Sequence, residues 1–532
     1  MSHHATEARP KRALPFAVLA AGALAAGALT ACGGGGSNAA QNSGLKAASV
    51  LPASAFAFAS IDVDPADGEK GQLIGTLLKF PVFARNVKIG PGDDVRAKIF
   101  EQILKAQPAG CNMTYAGDIQ PWLGTQVGVA GVVEAGQPTA AVAVQITDET
   151  KAKAAVAKLG TSACDKSKNG APAIAYSNGW AIAAQNQKTL NDVMAQTAKG
   201  SLANDAAFQK WTSKAGGAGF ATVYAGPSLG TVVSTALKKL EARSSALSQG
   251  FSAGMSANPF ASICPNESNQ TKAMDTLGAT LSGFQGGAVT LRARNGGVEL
   301  EGEFDTSFAG GAATSFGTPT GDLGNLPANT AAAISLALPR NYWDSVMAQL
   351  GRVCGPGFDR AKIEGMIAQA TGLNVPGDLN TLLGKSITLA LGGGTDLVSA
   401  FRQPSTAPVA LLLNGDTSAI QGVVTSLLSR TGAGSVFSSK VSGNDVVLAP
   451  TGNAFAGTVT SGGLGNDAAF KDVIPNASTS PVALYVNFNQ LQASFGTVPA
   501  KILENLKPLK ALGLSIQPDG SAAHFFLRIS TN

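Results

Sequence analysis

The chain is expected to fold as α+β, with strands paired mostly antiparallel and helices packed on them. Three observations predict this. Alternating apolar runs come in adjacent pairs joined by tight turns, such as Ile174 to Ala181 around Asn178-Gly179, and strands joined so closely must pair antiparallel. Helical periodicity sits between those pairs rather than between every strand, which separates this class from the parallel α/β folds. The third observation is a set of internal echoes. Leu202-Ala203-Asn204-Asp205-Ala206-Ala207-Phe208 returns as Leu464-Gly465-Asn466-Asp467-Ala468-Ala469-Phe470, an offset of 262. Trp122-Leu123-Gly124 returns as Leu382-Leu383-Gly384 at 260, Ala221-Thr222-Val223-Tyr224 as Val482-Ala483-Leu484-Tyr485 at 261, and Val50-Leu51-Pro52-Ala53 as Asn325-Leu326-Pro327-Ala328 at 275. Four matches in one order point to two tandem copies of a single plan.

Each copy opens on an alternating run, Ala55 to Val63 and Thr330 to Leu338. Helical patterns follow over Leu73 to Lys79 and Asp93 to Lys105, and over Trp343 to Leu350 and Lys362 to Ala370. A strand pair comes next, Gln126 to Val133 with Thr139 to Ile146, answered by Ser386 to Leu391 with Val409 to Leu413. Asp148 and Asp416 stand where helix N-caps belong, and the Asn-Asp of the repeated heptapeptide caps another helix. Hairpins close the copies at Ala288 to Phe304 around Asn295-Gly296 and at Leu514 to Ile529 around Asp519-Gly520. The first copy has an extra helical stretch, Leu229 to Leu247, and a loop near Pro259 to Gln270; Gly310 to Gly324 reads as the boundary. The two copies should pack as one pseudo-twofold body with a binding groove between them.

The front of the chain carries an address. Arg9, Lys11 and Arg12 precede an apolar stretch from Ala13 to Leu29, and Leu29-Thr30-Ala31-Cys32 follows. A basic start, a short apolar run and a small-residue exit make a secretory signal, and residues 32–49 are a small, polar tether in composition. The expected layout is therefore 1–31 signal, 32–49 tether, 50–318 first repeat and 319–532 second repeat. Leu29 to Cys32 resembles the lipobox of bacterial lipoproteins. The lipobox, the tether and an opening strand from Leu51-Pro52-Ala53 to Ile61-Asp62 together resemble a family of bacterial cell-surface lipoproteins classed as a domain of unknown function, found mostly in high-GC Gram-positive organisms. The resemblance implies cleavage before Cys32, diacylation of that cysteine, and an envelope location outside the membrane; it brings no catalytic residue. Two acyl chains anchor stably where one does not.

Cys32 accounted for, Cys111, Cys164, Cys264 and Cys354 are left. An even number in an exported chain suggests disulfides. Three pairings are open, and Cys111–Cys164 with Cys264–Cys354 closes the shorter loops. No Cys-x-x-Cys spacing supports zinc.

Composition excludes further classes. Hydrophobic residues are 45% and charged residues only 14% of 532, with 64 glycines, so a packed core is expected. Net charge is +5, and without the signal 36 basic residues face 33 acidic ones, which is no nucleic-acid footprint. Three histidines occur, and His524 alone lies beyond the signal; flanked by Phe525 it reads as a strand residue. Two Gly-x-Ser-x-Gly strings place Ser228 and Ser252 as nucleophile candidates, each needing a strand before it, a helix after it and a histidine in reach. Gly384-Lys385-Ser386 lacks the first glycine of a phosphate loop, since Leu379 stands there. Asp62, Asp64, Asp67 and Glu69 form an acidic cluster out of register for a calcium loop. Trp122, Trp180, Trp211 and Trp343 are scattered, with Tyr176 and Trp180 expected to pair across their hairpin. No cofactor, metal site or catalytic residue is assigned. The expected function is a non-enzymatic, membrane-anchored, extracytoplasmic module that binds an envelope ligand or protein, with a carrier of lipid or another apolar ligand as the first alternative and a serine hydrolase as the second.

Overall fold

The computed structural model describes residues 43–64, 67–87, 93–105, 110–161, 164, 172–217, 219–243, 279, 281–307, 316–354, 358–394, 403–491 and 500–532. Sixteen strands form one continuous sheet, and each named neighbouring pair runs antiparallel. In the first half they are β1 (Ala57–Asp62), β2 (Leu123–Glu134), β3 (Gln137–Ile146), β4 (Ala173–Ser177), β5 (Trp180–Ala184), β6 (Ala221–Ala225), β7 (Gly287–Arg294) and β8 (Gly297–Asp305). In the second they are β9 (Thr330–Ala337), β10 (Ser386–Gly392), β11 (Val409–Asn414), β12 (Phe437–Ser442), β13 (Asp445–Pro450), β14 (Val482–Asn487), β15 (Leu509–Asp519) and β16 (Ala522–Thr531).

The order across the sheet is β12-β13-β11-β10-β9-β14-β15-β16-β8-β7-β6-β1-β2-β3-β5-β4. Read from either end toward the centre, the two halves follow the same sequence of positions. The α+β class is as expected, and the strands of the two halves make a single sheet. β8 and β16 pair over their whole length, from Ala522 opposite Asp305 to Ser530 opposite Gly297, and this pairing is the seam.

The repeated motifs recur because they hold each other. Leu51 O accepts from Leu202 N at 2.8 Å and Leu326 O accepts from Leu464 N at 2.8 Å, beside isolated bridges Pro52–Ser201 and Pro327–Gly463. Asp205 then caps the helix Ala206–Lys214 by accepting from Phe208 N, and Asp467 caps Ala468–Val473 by accepting from Phe470 N. The capped phenylalanines reach the repeated tyrosines edge to face: Phe208 to Tyr224 at 5.0 Å and Phe470 to Tyr485 at 5.1 Å, a geometry that adds to simple burial. These contacts sit at the centres of the two large cores. Asp148 and Asp416 cap their helices as expected.

The hairpins follow their turn chemistry. Asn178-Gly179 and Asn295-Gly296 all have positive φ, as a type I′ turn requires. The two-residue turn sets Ser177 opposite Trp180 and Tyr176 opposite Ala181. Tyr176 and Trp180 therefore point to opposite faces and join different cores, which corrects the expected cross-strand pair. The last hairpin turns at Gly520-Ser521, one residue later than expected, because Asp519 still pairs with Ala522.

The tether's far end is also corrected. Ser43–Val50 forms a 3-10 helix whose Ala47 and Ala48 are fully buried in the first core. Small side chains permit this, since Ala47 lies against the backbone of Gly128. Cys32 and the rest of residues 1–42 lie outside the described residues, as do Ser252, Cys264, Pro259 to Gln270 and residues 310–315 of the expected boundary.

Candidate functional site

One face of the sheet carries the two large cores, under the helices Gln187–Lys199 and Ala206–Lys214 in the first half and Ala454–Thr458 and Ala468–Val473 in the second. At the seam this face turns ionic. Glu299, Glu301 and Glu303 on β8 alternate inward, with Arg292 of β7 and Arg528 of β16 each opposite Glu299, and His524 opposite Glu303. All but His524 are buried; Arg292 and Glu299 are each 2% exposed. Arg292 Nη1 donates to Glu301 Oε2 at 2.8 Å and its Nη2 to Ala215 O at 2.7 Å. Arg528 binds Glu299, and its Nη2 binds Asp472 at 2.9 Å. Lys214 joins Glu303 at 3.3 Å and Asp519. Pairing is the condition for charges to be buried at all.

His524 is held at both nitrogens, with Nε2 3.3 Å from Glu301 Oε1 and Nδ1 3.1 Å from Glu303 Oε2. These two carboxylates raise its pKa to about 9 against the opposing effect of burial. Burial pushes the Glu299 carboxyl up to about 7 even with Arg528 beside it. Burial also acts to raise Glu301, but His524 and Arg292 outweigh it and hold that carboxyl below its ordinary value. The expected groove between the halves is, on this face, filled by these side chains, so that expectation is corrected.

The catalytic candidates do not assemble. Ser228 does follow a strand, β6, and precede a helix, Leu229–Arg243. The histidine fails it: β16 lies three strand spacings from β6, about 14 Å, and both nitrogens of His524 face carboxylates. Gly384-Lys385-Ser386 is a turn into β10, with Lys385 N donating to Asn414 O. In the acidic cluster, Asp64 pairs with Lys70 at 2.9 Å and Arg96 at 3.2 Å, Asp62 accepts from Asp64 N, and the Asp67 side chain lies outside the described residues. The tryptophans are structural: Nε1 donates to Asp118 O in Trp122, to Gln285 O in Trp211 and to Glu364 in Trp343, and Trp180 is buried. Cys111 and Cys164 form a disulfide, tying Cys111 to the residues just past the helix Glu149–Leu159. Cys354 is also disulfide-bonded, and its partner is not among the described residues.

The opposite face of the sheet is aliphatic. Register places Leu389, Ile334, Leu484, Leu514, Leu527, Leu300 and Leu291 directly opposite one another in turn across seven strands. At the outer ends this face is covered, by Met113, Tyr115 and Ile119 over Val144 and Ala181 in the first half, and by Ile420 and Val424 over Leu413 and Val446 in the second. Between them, in the second half, lies a cavity of about 370 Å³ lined by Ala332, Ile334, Leu389, Leu391, Val409 and Leu484 with Pro408 at its side. Leu389 on its floor is 50% exposed. β9 and β10 are paired on both sides, so the floor offers no free backbone donor or acceptor. What the geometry can hold is a ligand segment without polar atoms.

Sequence reasoning did not place this cavity. Its signal lies in β9 to β11, Thr330–Ala337, Ser386–Gly392 and Val409–Asn414, where apolar residues occupy both alternating sets, the mark of an antiparallel sheet without a polar face. Among the described residues no helix is long and apolar enough to cross a membrane and no group of three or more His, Cys, Asp or Glu side chains could hold a metal.

No curated protein and no solved structure matches the chain. A family model does match, over residues 14–391, taking in the whole first half and the second as far as β10. The chain belongs to that family, described as a protein of unknown function (DUF3352).

Proposed function

We propose that this chain is a non-enzymatic, lipid-anchored carrier of an apolar ligand on the outer side of the membrane of a bacterium of the high-GC Gram-positive type. In this reading residues 1–31 are a lipoprotein signal, Cys32 is acylated, the tether runs from residue 32 toward Ser43, and residues 50–318 and 319–532 are a duplicated module. The observation that carries the ligand is the cavity over Ile334 and Leu389: about 370 Å³, at the small end of ligand pockets, with a lining made of hydrocarbon. Pockets for ordinary polar metabolites contain a few placed polar groups that fix orientation. This lining has none, so the ligand part it suits is a hydrocarbon chain. The same observation favours a carrier over a module that binds a protein partner through polar contacts. A serine hydrolase is disfavoured because His524 is held by Glu301 and Glu303 rather than by Ser228.

The test is organic extraction of the protein purified from its own membranes, followed by mass spectrometry, for the wild type and for Leu389→Asp. A chain-bearing molecule is expected with the wild type in about stoichiometric amount and is expected to be lost with L389D, because a carboxylate cannot be buried against an alkyl chain without a partner. Wild-type protein that carries no such molecule refutes the carrier. The same sample tests the anchor, since a mature N-terminus other than an acylated Cys32 removes it. Peptide mapping without reduction is expected to recover Cys264 joined to Cys354.

A further inference from the structure

We infer that the first half holds a second, separate apolar site at the position equivalent to the cavity; this rests on the carrier reading above. Equivalence is fixed by register. In the second half Ile334 of β9 is flanked by Leu389 and Leu484, and Ala332 by Leu391 and Val486. In the first half Ala59 of β1 is flanked by Val129 and Val223, and Ala57 by Gly131 and Ala225. The offsets between these positions are 275 from β1 to β9, 260 from β2 to β10 and 261 from β6 to β14. They are the same offsets that relate the repeated motifs, so strand pairing and sequence assign the same equivalences independently.

The first floor is apolar throughout, and where the two floors differ it has the smaller residue: Ala for Ile334, Val for Leu389 and Leu484, Gly for Leu391, Ala for Val486. Phe56 refills one of these places, since a side chain on Gly131 would meet its ring at 2.6 Å. Of this floor Val223 is 47% exposed, as Leu389 is 50% exposed in the second half, and Ala57, Ala59, Val129 and Ala225 are half-buried. The backbone below is again fully paired, β1 to β2 and β6 and β6 to β7, so the occupant has the same chemistry, a neutral hydrocarbon chain. The row that leaves the second site through Leu484 closes before it reaches β6. Leu291, which lies between Leu300 of β8 and Ala221 of β6, is only 8% exposed.

The experiment uses the full chain in living cells fed hexadecanol that bears a terminal diazirine. After irradiation, labelled peptides are mapped. Label is expected in two groups, on β9, β10 and β14 and on β1, β2 and β6. Val223→Asp should lower label on the first-half strands about tenfold or more and leave the second-half group in place, and Leu389→Asp should do the reverse. Each variant's surviving group shows that it has folded. Label confined to the second half, or unaffected by V223D, overturns the second site and leaves the carrier standing. Loss of both groups in V223D means one continuous site and also overturns the inference. No label in either half removes the carrier reading and the second site together.

Discussion

His524 makes stability depend on pH in an unusual direction, and the size of the effect can be worked from its surroundings. Glu301 and Glu303 raise its pKa from 6.5 to about 9. A group whose pKa is higher in the folded state stabilises that state fully below its unfolded value and loses the contribution as pH rises through the folded one. The window is therefore pH 6.5 to 9, and the loss runs toward alkali. At about 1.4 kcal/mol per unit the full shift corresponds to about 3 kcal/mol. The imidazole is 23% exposed, so solvent screening trims rather than removes it. The assay is urea unfolding of the purified chain at intervals from pH 6 to 9.5. Wild type should lose stability across the window, while His524→Gln, which cannot titrate, should start lower at pH 6 and show little of that slope. A wild type whose stability is flat between pH 6.5 and 9, or an H524Q protein with the same slope, would refute the claim that the seam depends on a charged imidazole. Glu299 acts in the same sense at lower pH: its raised carboxyl contributes below pH 4.5 and loses that contribution as pH passes about 7.

Other expectations follow from the two halves. Removing the Cys111–Cys164 bond, which spans 53 residues, should cost about 4 kcal/mol by chain entropy, read as a lower melting temperature in Cys111→Ser/Cys164→Ser. Asp205→Ala and Asp467→Ala remove the same cap at equivalent places and should each cost about 1 kcal/mol; denaturant midpoints that differ widely would break the equivalence. Phe470→Ala empties a core position against Tyr485 and should cost about 3–5 kcal/mol, with Phe208→Ala alike by the same measurement.

Much of this architecture is legible in the chain, for local reasons. Asn178-Gly179 and Asn295-Gly296 announce their hairpins because few residues accept positive φ, whereas the turn at Ala135-Gly136 between β2 and β3, with φ of 48° at alanine, sends no such signal in its first residue. The echoed motifs were readable because both members of each contact recur: the Leu-Pro-Ala turn and the heptapeptide that bonds to it. What could not be read is the seam. Gly297–Asp305 alternates valine, leucine and phenylalanine with three glutamates, the pattern of a strand with one face in water. Here the glutamate face is the buried one, because Arg292, His524 and Arg528 neutralise it, two of them supplied from more than 200 positions away. Period-two alternation tells which residues share a face; it does not tell which face a distant partner will cover. The cavity was hidden for a related reason, since a strand apolar on both sides reads as plain core.

The placement of β16 has a consequence for how this molecule is made. β16 is the keystone, at the middle of the span rather than at its rim, so the joint can close only once Ala522–Thr531 has been made and contacts of very long range have formed, a slow class of event. A product clipped short of Ala522 would present β8 bare, with Glu299, Glu301 and Glu303 in a row. Like charges set face to face repel, so a chain that lacks β16 is guarded against zipping onto a second one along β8.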